Sequence, residues 1–577
     1  MPNASQANPA RAASPSPPAT GMGRSGRRDP PRSGRQCRPR AWLALGVLLC
    51  AAWIGPCVAA GTRPADVGEG IYLNGTLASG EPIVANRGGG MRIRGADAAC
   101  VNCHQRSGLG SREGDQIIPP ITARYLFHPR AANHRDLDLP YVDGIRTDRD
   151  PYTEATLARA IRNGLDSEGR PLDYLMPRFA LDDEDMAALV TYLKRLDRRD
   201  VPGVTDTVLN FATIITPDAD AVKCQGMLDV LNHFFADKNA FTRGPTPRLL
   251  STHLSEFKVY RHWQLHVWRL TGPPATWREQ LKRHFSEEPV FAVLSGLGGS
   301  NWAPVQAFCE EKGIPCLFPN IEAPPADANR DFYSMYFSKG VLLEAGLIAH
   351  GIASLGPGKV AVRQIYRAGD AGEVGARALA ATLKQRHIVA TSAALAPGAS
   401  PRAAAAAARK ASRTDALVLW LRRRDLAALA GVPKPQGTVF ISGLLGGLEN
   451  APLPAQWRSD TYLAYPFDLP EDRRISVDFA LGWFRIRQIP VVDLQVQVDT
   501  YIACGLLSET LNHMADTFVP EYLVERIEGM LNHRLITGFY PRLSLATGQR
   551  FASKGGYLVP FPTPGVQLAA KQEWLVP

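Results

Sequence analysis

Cys100, Cys103 and His104 constrain this chain more than any other feature. They stand in the run Cys100-Val101-Asn102-Cys103-His104, the attachment signature of a c-type haem. The chemistry needs that spacing. Two thiols a short step apart can add to the two vinyl groups of one porphyrin, and the adjacent imidazole then meets the iron from the same side. A thioredoxin-like pair would sit at a strand-to-helix turn of a βαβ unit, and the sequence suggests no strand before Cys100. A structural zinc site would need a second Cys/His pair at a regular spacing, and none follows. The expected cofactor is one covalent haem c on Cys100 and Cys103, with His104 as an axial iron ligand.

Met176, in Tyr174-Leu175-Met176-Pro177-Arg178-Phe179, is the expected sixth ligand. It lies in a loop before a last helix, and His/Met ligation is a standard haem arrangement. His128 or His134 in its place, or an open sixth position, are the alternatives. Glu154 to Asn163 reads as a short helix with Leu157, Ala160 and Ile161 on one face and Gly164 as its stop. Asp182 to Arg195 reads as another, with Met186, Leu189, Val190 and Leu193 at helical spacing and four acids in its first turn.

On these residues the segment from about Gly68 to Leu196 resembles class I c-type cytochromes. The resemblance implies a small all-α monohaem domain whose first and last helices cross, with Gly70, Tyr72 and Tyr192 placed to make the crossing. The chain departs from that pattern in a long polar stretch, Arg124 to Arg149.

A chain of 577 residues is too long for one such module, so further domains are expected. Eight arginines against one aspartate in residues 1–60 supply +7 of the formal charge of +10. The remainder is near balance and points to no nucleic-acid partner. Residues 1–60 read as a disordered basic leader and a signal peptide: Ala41 to Ile54 is apolar, and Val58-Ala59-Ala60 offers small residues before a cut after Ala60. The expected location is the periplasm, with an uncleaved membrane anchor as the minor alternative and Met22 as an alternative start. Cleavage removes Cys37, Cys50 and Cys57. Cys224, Cys309, Cys316 and Cys504 remain beside the haem pair, either as buried thiols or with Cys309 and Cys316 close enough in sequence to form a disulfide.

After the linker Asp197 to Gly203 strands and helices alternate, in one run from Val208 to Phe318 and a second from Val360 to Ser442. Such alternation predicts parallel sheets covered by helices, here as two α/β lobes. Arg402 to Lys410 is alanine-rich and reads as an exposed helix. Val290 to Gly299 and Val439 to Gly447 echo each other: a buried strand, then Ser-Gly-Leu and a glycine pair. Ligands of open α/β sheets bind beyond the strands' carboxyl ends, which makes Ser295 and Ser442 candidates; tight glycine turns are the alternative.

From about Val208 to Phe561 the chain resembles type I periplasmic binding proteins, particularly their branched-chain amino-acid branch. Phe291 to Pro319, Asp331 to Tyr336 and an ending like the family's final hairpin, Thr537-Gly538-Phe539 through Phe561, carry the likeness. It implies two lobes closing on a small solute, with Ser300 as a first-lobe ligand residue and Asn301 beside it. Where amino-acid binders place an acid after the second-lobe strand, Leu444 and Leu445 stand here, and the nearest acid is Glu449.

The expected architecture is therefore a leader (1–60), an all-α cytochrome c domain (61–200) and a two-lobed α/β binding-protein-like domain (201–577). The expected function is periplasmic electron transfer to or from a dehydrogenase or oxidase, with the second domain binding a solute or docking a partner, in one variant an inner-membrane complex. A receptor of an ABC-type uptake or sensing system, and a haem enzyme with an open sixth position, are the alternatives. No nucleophile–base set stands out as catalytic.

Overall fold

Two helices cross where one of them lacks a side chain. In the computed structural model α1 (Pro64–Asn74) packs on α5 (Asp183–Leu193). A Cβ on Gly68 would lie 2.2 Å from the Ala188 carbonyl oxygen and 2.8 Å from Tyr192 Cβ, so only glycine admits the contact. The expected crossing residue, Gly70, lies beyond it: its nearest neighbour is Thr76 O at 3.5 Å. Tyr72 and Tyr192 do meet there, with ring centroids 5.2 Å apart. The structure describes residues 64–113, 116–128, 149–196, 200–242, 261–328, 331–356, 360–411, 413–514, 517–561 and 573–577. The leader with its three cysteines, His134 and linker positions 197–199 lie outside them.

Between the crossing helices come β1 (Val84–Asn86), β2 (Arg92–Arg94), α2 (Val101–His104), β3 (Ser111–Glu113), β4 (Gln116–Ile118), α3 (Ala123–Phe127), α4 (Glu154–Asn163) and β5 (Arg178–Phe179). The strands correct the all-α expectation. β2, β1 and β5 form a small antiparallel sheet, and β3 and β4 a hairpin. Segments of two or three residues are too short for an alternating pattern to announce them. β1 and β2 also precede Cys100, contrary to expectation, but they are antiparallel and make no βαβ unit. Helix ends match the sequence better. Thr153 and Thr156 cap α4 reciprocally, Gly164 ends it at φ 72°, and the Asp182 side chain caps α5 by accepting from Asp185 N.

The rest of the chain is two α/β layers. The first lobe holds β6 (Val208–Ile215), α6 (Ala221–Thr242), β7 (His262–Arg269), α7 (Trp277–Glu287), β8 (Ala292–Leu294), β9 (Leu297–Gly298), α8 (Ala303–Lys312), β10 (Cys316–Leu317), β11 (Asn320–Ile321) and β12 (Ser334–Met335). Its strands are parallel, in the order β11-β9-β6-β8-β10-β12, with β7 also paired to β6. The second lobe holds α9 (Val341–Ala353), β13 (Val362–Arg367), α10 (Ala371–Gln385), β14 (Ala390–Leu395), α11 (Pro401–Arg409), β15 (Ala416–Trp420), α12 (Arg423–Ala427), β16 (Thr438–Ser442), α13 (Gly443–Gly446) and β17 (Thr461–Tyr465). Its order is β14-β13-β15-β16-β17, parallel throughout.

The chain then returns to the first lobe as α14 (Arg474–Ile486), α15 (Leu494–Met514) and α16 (Pro520–Leu531), and ends in the second with β18 (Tyr557–Pro560). β18 pairs antiparallel with β17. It stands as a single added strand where a final hairpin from Thr537 was expected. The alanine-rich α11 is not an exposed helix either: Ala404, Ala405 and Ala408 are buried on one face. Cys224, Cys309, Cys316 and Cys504 are buried free thiols, and the Cys309 and Cys316 side chains hydrogen-bond to each other. Among the described residues no helix is long and apolar enough to cross a membrane.

The cytochrome-like module packs directly on the first lobe. Leu109 and Tyr125 belong to the same buried cluster as Phe211, Phe291 and Leu317. The linker's end is pinned as well: Gly203 has φ 78°, and a Cβ there would stand 2.2 Å from Phe291 N.

Gly68→Ala should destabilise the folded chain by about 1–3 kcal/mol, the usual cost of overpacking. Gly70→Ala, with open space around its Cβ, should be neutral or stabilising by up to about 1 kcal/mol. Denaturant unfolding followed by circular dichroism checks this, and equal effects of the two changes would contradict the crossing.

Candidate functional site

The haem-attachment run folds as one tight turn. His104 N donates to Cys100 O at 3.0 Å and Cys103 N to the same oxygen at 3.2 Å, so the two cysteines sit one helical turn apart on one face. The Asn102 amide ties the turn back to Ala96 O at 2.7 Å. Gln105 ends it at φ 62°, and its carbonyl accepts from the Tyr72 hydroxyl at 2.6 Å. The first helix thus anchors the turn's exit.

His104 is 6% exposed. Its Nδ1 lies 3.0 Å from the Pro119 carbonyl, a contact that needs Nδ1 to carry the hydrogen and leaves Nε2 with a free lone pair. A backbone carbonyl on the far nitrogen is how metal-binding histidines are oriented. The β3–β4 hairpin delivers Pro119: Gly110 passes so close that a Cβ there would lie 2.0 Å from Ile118 O. Burial pushes the His104 ring down to about 4, against the Pro119 hydrogen bond, and so keeps it in the neutral form that ligates.

Met176 packs, part-buried, on the same apolar cluster as Cys100 and Val101. Arg178 orders its loop: the guanidinium bonds the carbonyls of Leu172 (3.4 Å) and Met176 and lies across Gly164. His128 is exposed at the end of α3.

This donor set suits a covalent haem. Two thiols share one face, a neutral imidazole has its outer nitrogen held, and a thioether lies on the same apolar wall. Arg87 adds an independent sign. Its Nη2 lies 4.0 Å from Cys103 Sγ, and its buried Nε has no hydrogen-bond partner among the described residues, as a group awaiting a carboxylate would. Among the described residues no cluster of three or more His, Cys, Asp or Glu side chains is placed to hold a metal ion.

A second site lies between the lobes, a cleft of about 500 Å³. Ser300 lines it; its N–H donates to Asp218 Oδ2 at 3.0 Å. The other three expected ligand residues hold up the walls. Ser295 Oγ is 2.9 Å from Thr500 Oγ1 and accepts from the Asn320 amide at 2.9 Å. Asn301 accepts from Ala303 N at 3.2 Å at the start of α8. Ser442 Oγ accepts from Leu445 N at 3.2 Å and bonds the buried Glu344 carboxyl. The glycines beside them make room for protein. A Cβ on Gly296 or Gly298 would strike the Trp302 ring, and one on Gly299 would strike the Asp218 carboxylate, 2.1 Å away.

Charge in the cleft is mostly paired. Arg422 bonds Glu322 (2.6 and 3.1 Å) and Asp370 (2.5 and 2.8 Å), which fastens the second lobe to the chain leaving the first. Burial works against its charge, but the two carboxylates outweigh it and hold the guanidinium protonated. Arg367 forms a bidentate pair with the fully buried Asp425 (2.6 and 2.7 Å). Sequence reasoning missed Pro119, Arg178, Arg367, Arg422 and Asp499, a cleft residue described below. All but Arg178 sit well along the chain from the groups they serve; Arg178 is two residues from Met176, and the Met-Pro-Arg succession at 176–178 was the one local hint.

Residues 94–197 match the cytochrome c family model. A search of curated proteins finds no match to the chain. Similar solved structures include a substrate-binding periplasmic protein from Ralstonia solanacearum (15% identity, TM-score 0.47, covering 63% of this chain and 100% of that one). Another is a fatty acid ABC transporter substrate-binding protein from Thermomonospora curvata (15%, 0.46, 63% and 90%). A third is a branched-chain amino acid transporter substrate-binding protein from Streptococcus pneumoniae in complex with isoleucine (13%, 0.46, 64% and 100%). These neighbours are type I periplasmic binding proteins.

Two outcomes test the wall chemistry. Removing one partner of the buried Arg367–Asp425 pair, as in Asp425→Ala, should cost about 3–5 kcal/mol in urea unfolding. Burial pushes the Glu344 carboxyl from 4.5 up to about 8, against the Ser442 and backbone hydrogen bonds. The folded chain therefore keeps a proton there that the unfolded chain has lost, so this group makes stability fall as pH rises from 4.5 to about 8, by about 1.4 kcal/mol per pH unit. Glu344→Gln should lessen the measured slope by that group's share, read as unfolding midpoints across the window, while Asp499 and Glu525, also raised by burial, keep a remainder.

Proposed function

We propose that this chain is an exported c-type cytochrome whose domain 61–200 transfers electrons in the periplasm, joined to a solute-binding module, 201–577. The buried His104 ring, with Nδ1 against the Pro119 carbonyl and Nε2 free, is the observation that carries the reading. Cys100 and Cys103 would hold the haem through thioethers, and His104 and Met176 would be its axial ligands. When bound, the haem supplies a one-electron couple.

The chain's own residues do the rest. The Tyr72–Gln105 and His104–Pro119 hydrogen bonds fix the turn and the ring plane, so neither need rearrange during electron transfer. The Arg178 contacts hold the Met176 loop in one conformation. The apolar cluster of Tyr72, Leu157, Leu189 and Val190 keeps water from the buried side. A thioether ligand raises a haem potential, which suits an electron acceptor serving a dehydrogenase or oxidase.

A receptor of an uptake or sensing system, with the haem secondary, is the second reading. The cleft favours it: both lobes contribute lining residues, among them Ser300 and Asn320 from the first and Arg367 and Asp370 from the second.

Native mass spectrometry of the protein exported from a haem-attaching host tests both readings. One covalent haem is expected, with any retained solute as extra mass. No haem would overturn the first reading. Met176→Ala should abolish the far-red thioether–iron absorption band and lower the midpoint potential. An unchanged spectrum and potential would assign the sixth ligand elsewhere.

A further inference from the structure

One buried acid in the cleft has an oxygen that no group of the described chain bonds at full geometry. Asp499, on α15, lines the cleft and is 4% exposed. Its Oδ2 accepts from the Tyr540 hydroxyl at 3.1 Å. Its Oδ1 is buried and has no partner at full hydrogen-bond geometry among the described residues; the Gln495 side chain, which also lines the cleft, stands near enough to favour the charged carboxylate. Leaving a buried acceptor unpaired is costly, and native folds keep few such groups without a use for them.

The other acids of the cleft are satisfied by the protein itself. Asp218 accepts from Gly299 N, Ser300 N and the Thr216 hydroxyl. Asp220 accepts from Val222 N and Lys223 N at the start of α6. Asp425 holds Arg367, and Glu322 and Asp370 hold Arg422. The cations are paired in the same bonds, apart from Lys223, within 4 Å of Glu322 and Asp493, and the exposed Arg424. The unmet demand in this cleft is therefore for a donor, and it sits at Asp499, a buried acid with no cation of the protein paired to it.

The surroundings point the same way. The Tyr540 ring lies 5.4 Å from Phe337 and 5.5 Å from Phe467, and all three line the cleft beside Asp499. Aromatic faces next to a carboxylate attract a cation. Leu444, in place of a second-lobe acid, gives an apolar wall across from them.

We propose that the cleft binds a small cationic amine whose ammonium hydrogen-bonds Asp499 Oδ1 and whose body lies among Phe337, Phe467, Tyr540 and Leu444. The inference rests on the solute-binding reading and adds the ligand's class and its anchoring group. Recognition runs through the first lobe's α15, leaving the second lobe to cover the apolar body.

The test uses the full, haem-loaded chain, titrated calorimetrically and by ligand-observed NMR with butylamine and ethylenediamine. Butanol and succinate are the matched neutral and anionic probes. Both amines should bind, and butanol and succinate should not. Asp499→Asn should weaken amine binding by about tenfold or more, the loss of a charge-assisted hydrogen bond, with the haem absorption and circular dichroism unchanged. Should that variant misfold, the wild-type contrast of butylamine with butanol decides alone. Butanol binding as well as butylamine, or succinate binding that Asp499→Asn leaves unchanged, would overturn the amine assignment and leave solute binding standing. No binding by any probe, with no solute retained in the native mass spectrum, would overturn both.

Discussion

Ser107 joins the two halves of this molecule. It lies three residues after His104, and both its donors go to one carboxylate on α16: its N–H to Glu525 Oε1 at 3.0 Å and its hydroxyl to Oε2 at 2.6 Å. Burial pushes that carboxyl up to about 8, against the two hydrogen bonds. Around it the contact is apolar and cationic. Arg106 stacks over the Phe332 ring at 4.5 Å, and Leu109 and Tyr125 enter the first lobe's cluster. The haem turn is therefore gripped from two directions, by Tyr72 of its own module and by Glu525 of the other. A turn held only by its own short helices would have few contacts to fix the His104 ring.

The same economy of placement governs the α/β module. Three carboxyls, the buried Glu344 and Asp499 and the part-buried Glu525, are all pushed upward by desolvation. Glu344 and Glu525 accept hydrogen bonds on both oxygens from serine and backbone donors. Asp499 has one oxygen filled by Tyr540 and one with no partner at full hydrogen-bond geometry among the described residues. That asymmetry, rather than burial alone, separates a structural acid from one that faces a ligand. The Arg367 and Arg422 pairs are different again. They neutralise charge within and between the lobes and fix side-chain orientation, and buried pairs of this kind contribute more to geometry than to net stability.

How far the chain could be read without its fold differs element by element. α4 matches its sequence-based bounds, Glu154 to Asn163, because a capped amphipathic run is a local pattern. The attachment turn was legible for the same reason: its three residues are contiguous. The small sheet β2-β1-β5 was not, since strands of two or three residues carry no period. The crossing glycine was misplaced by two residues because the choice between Gly68 and Gly70 depends on the azimuth at which α5 arrives. In the cleft, the Ser-Gly-Leu echo marked the right strand ends. Of the four residues named there only Ser300 lines the cavity, and the neighbouring glycines serve Trp302 and Asp218.

The sequence by itself determined what could be bonded to what over a few residues: two thiols and an imidazole on one turn, a methionine before a closing helix, and alternating strands and helices that must form covered parallel sheets. Only the tertiary structure decided which distant groups complete them. Pro119 reaches His104 through a hairpin, Glu525 reaches Ser107 from 418 positions along the chain, and Tyr540 meets one oxygen of Asp499 and not the other. Hydrogen bonds and charge pairs act through space over a few ångströms. The residues they join have no signature along a chain until the fold has closed the distance.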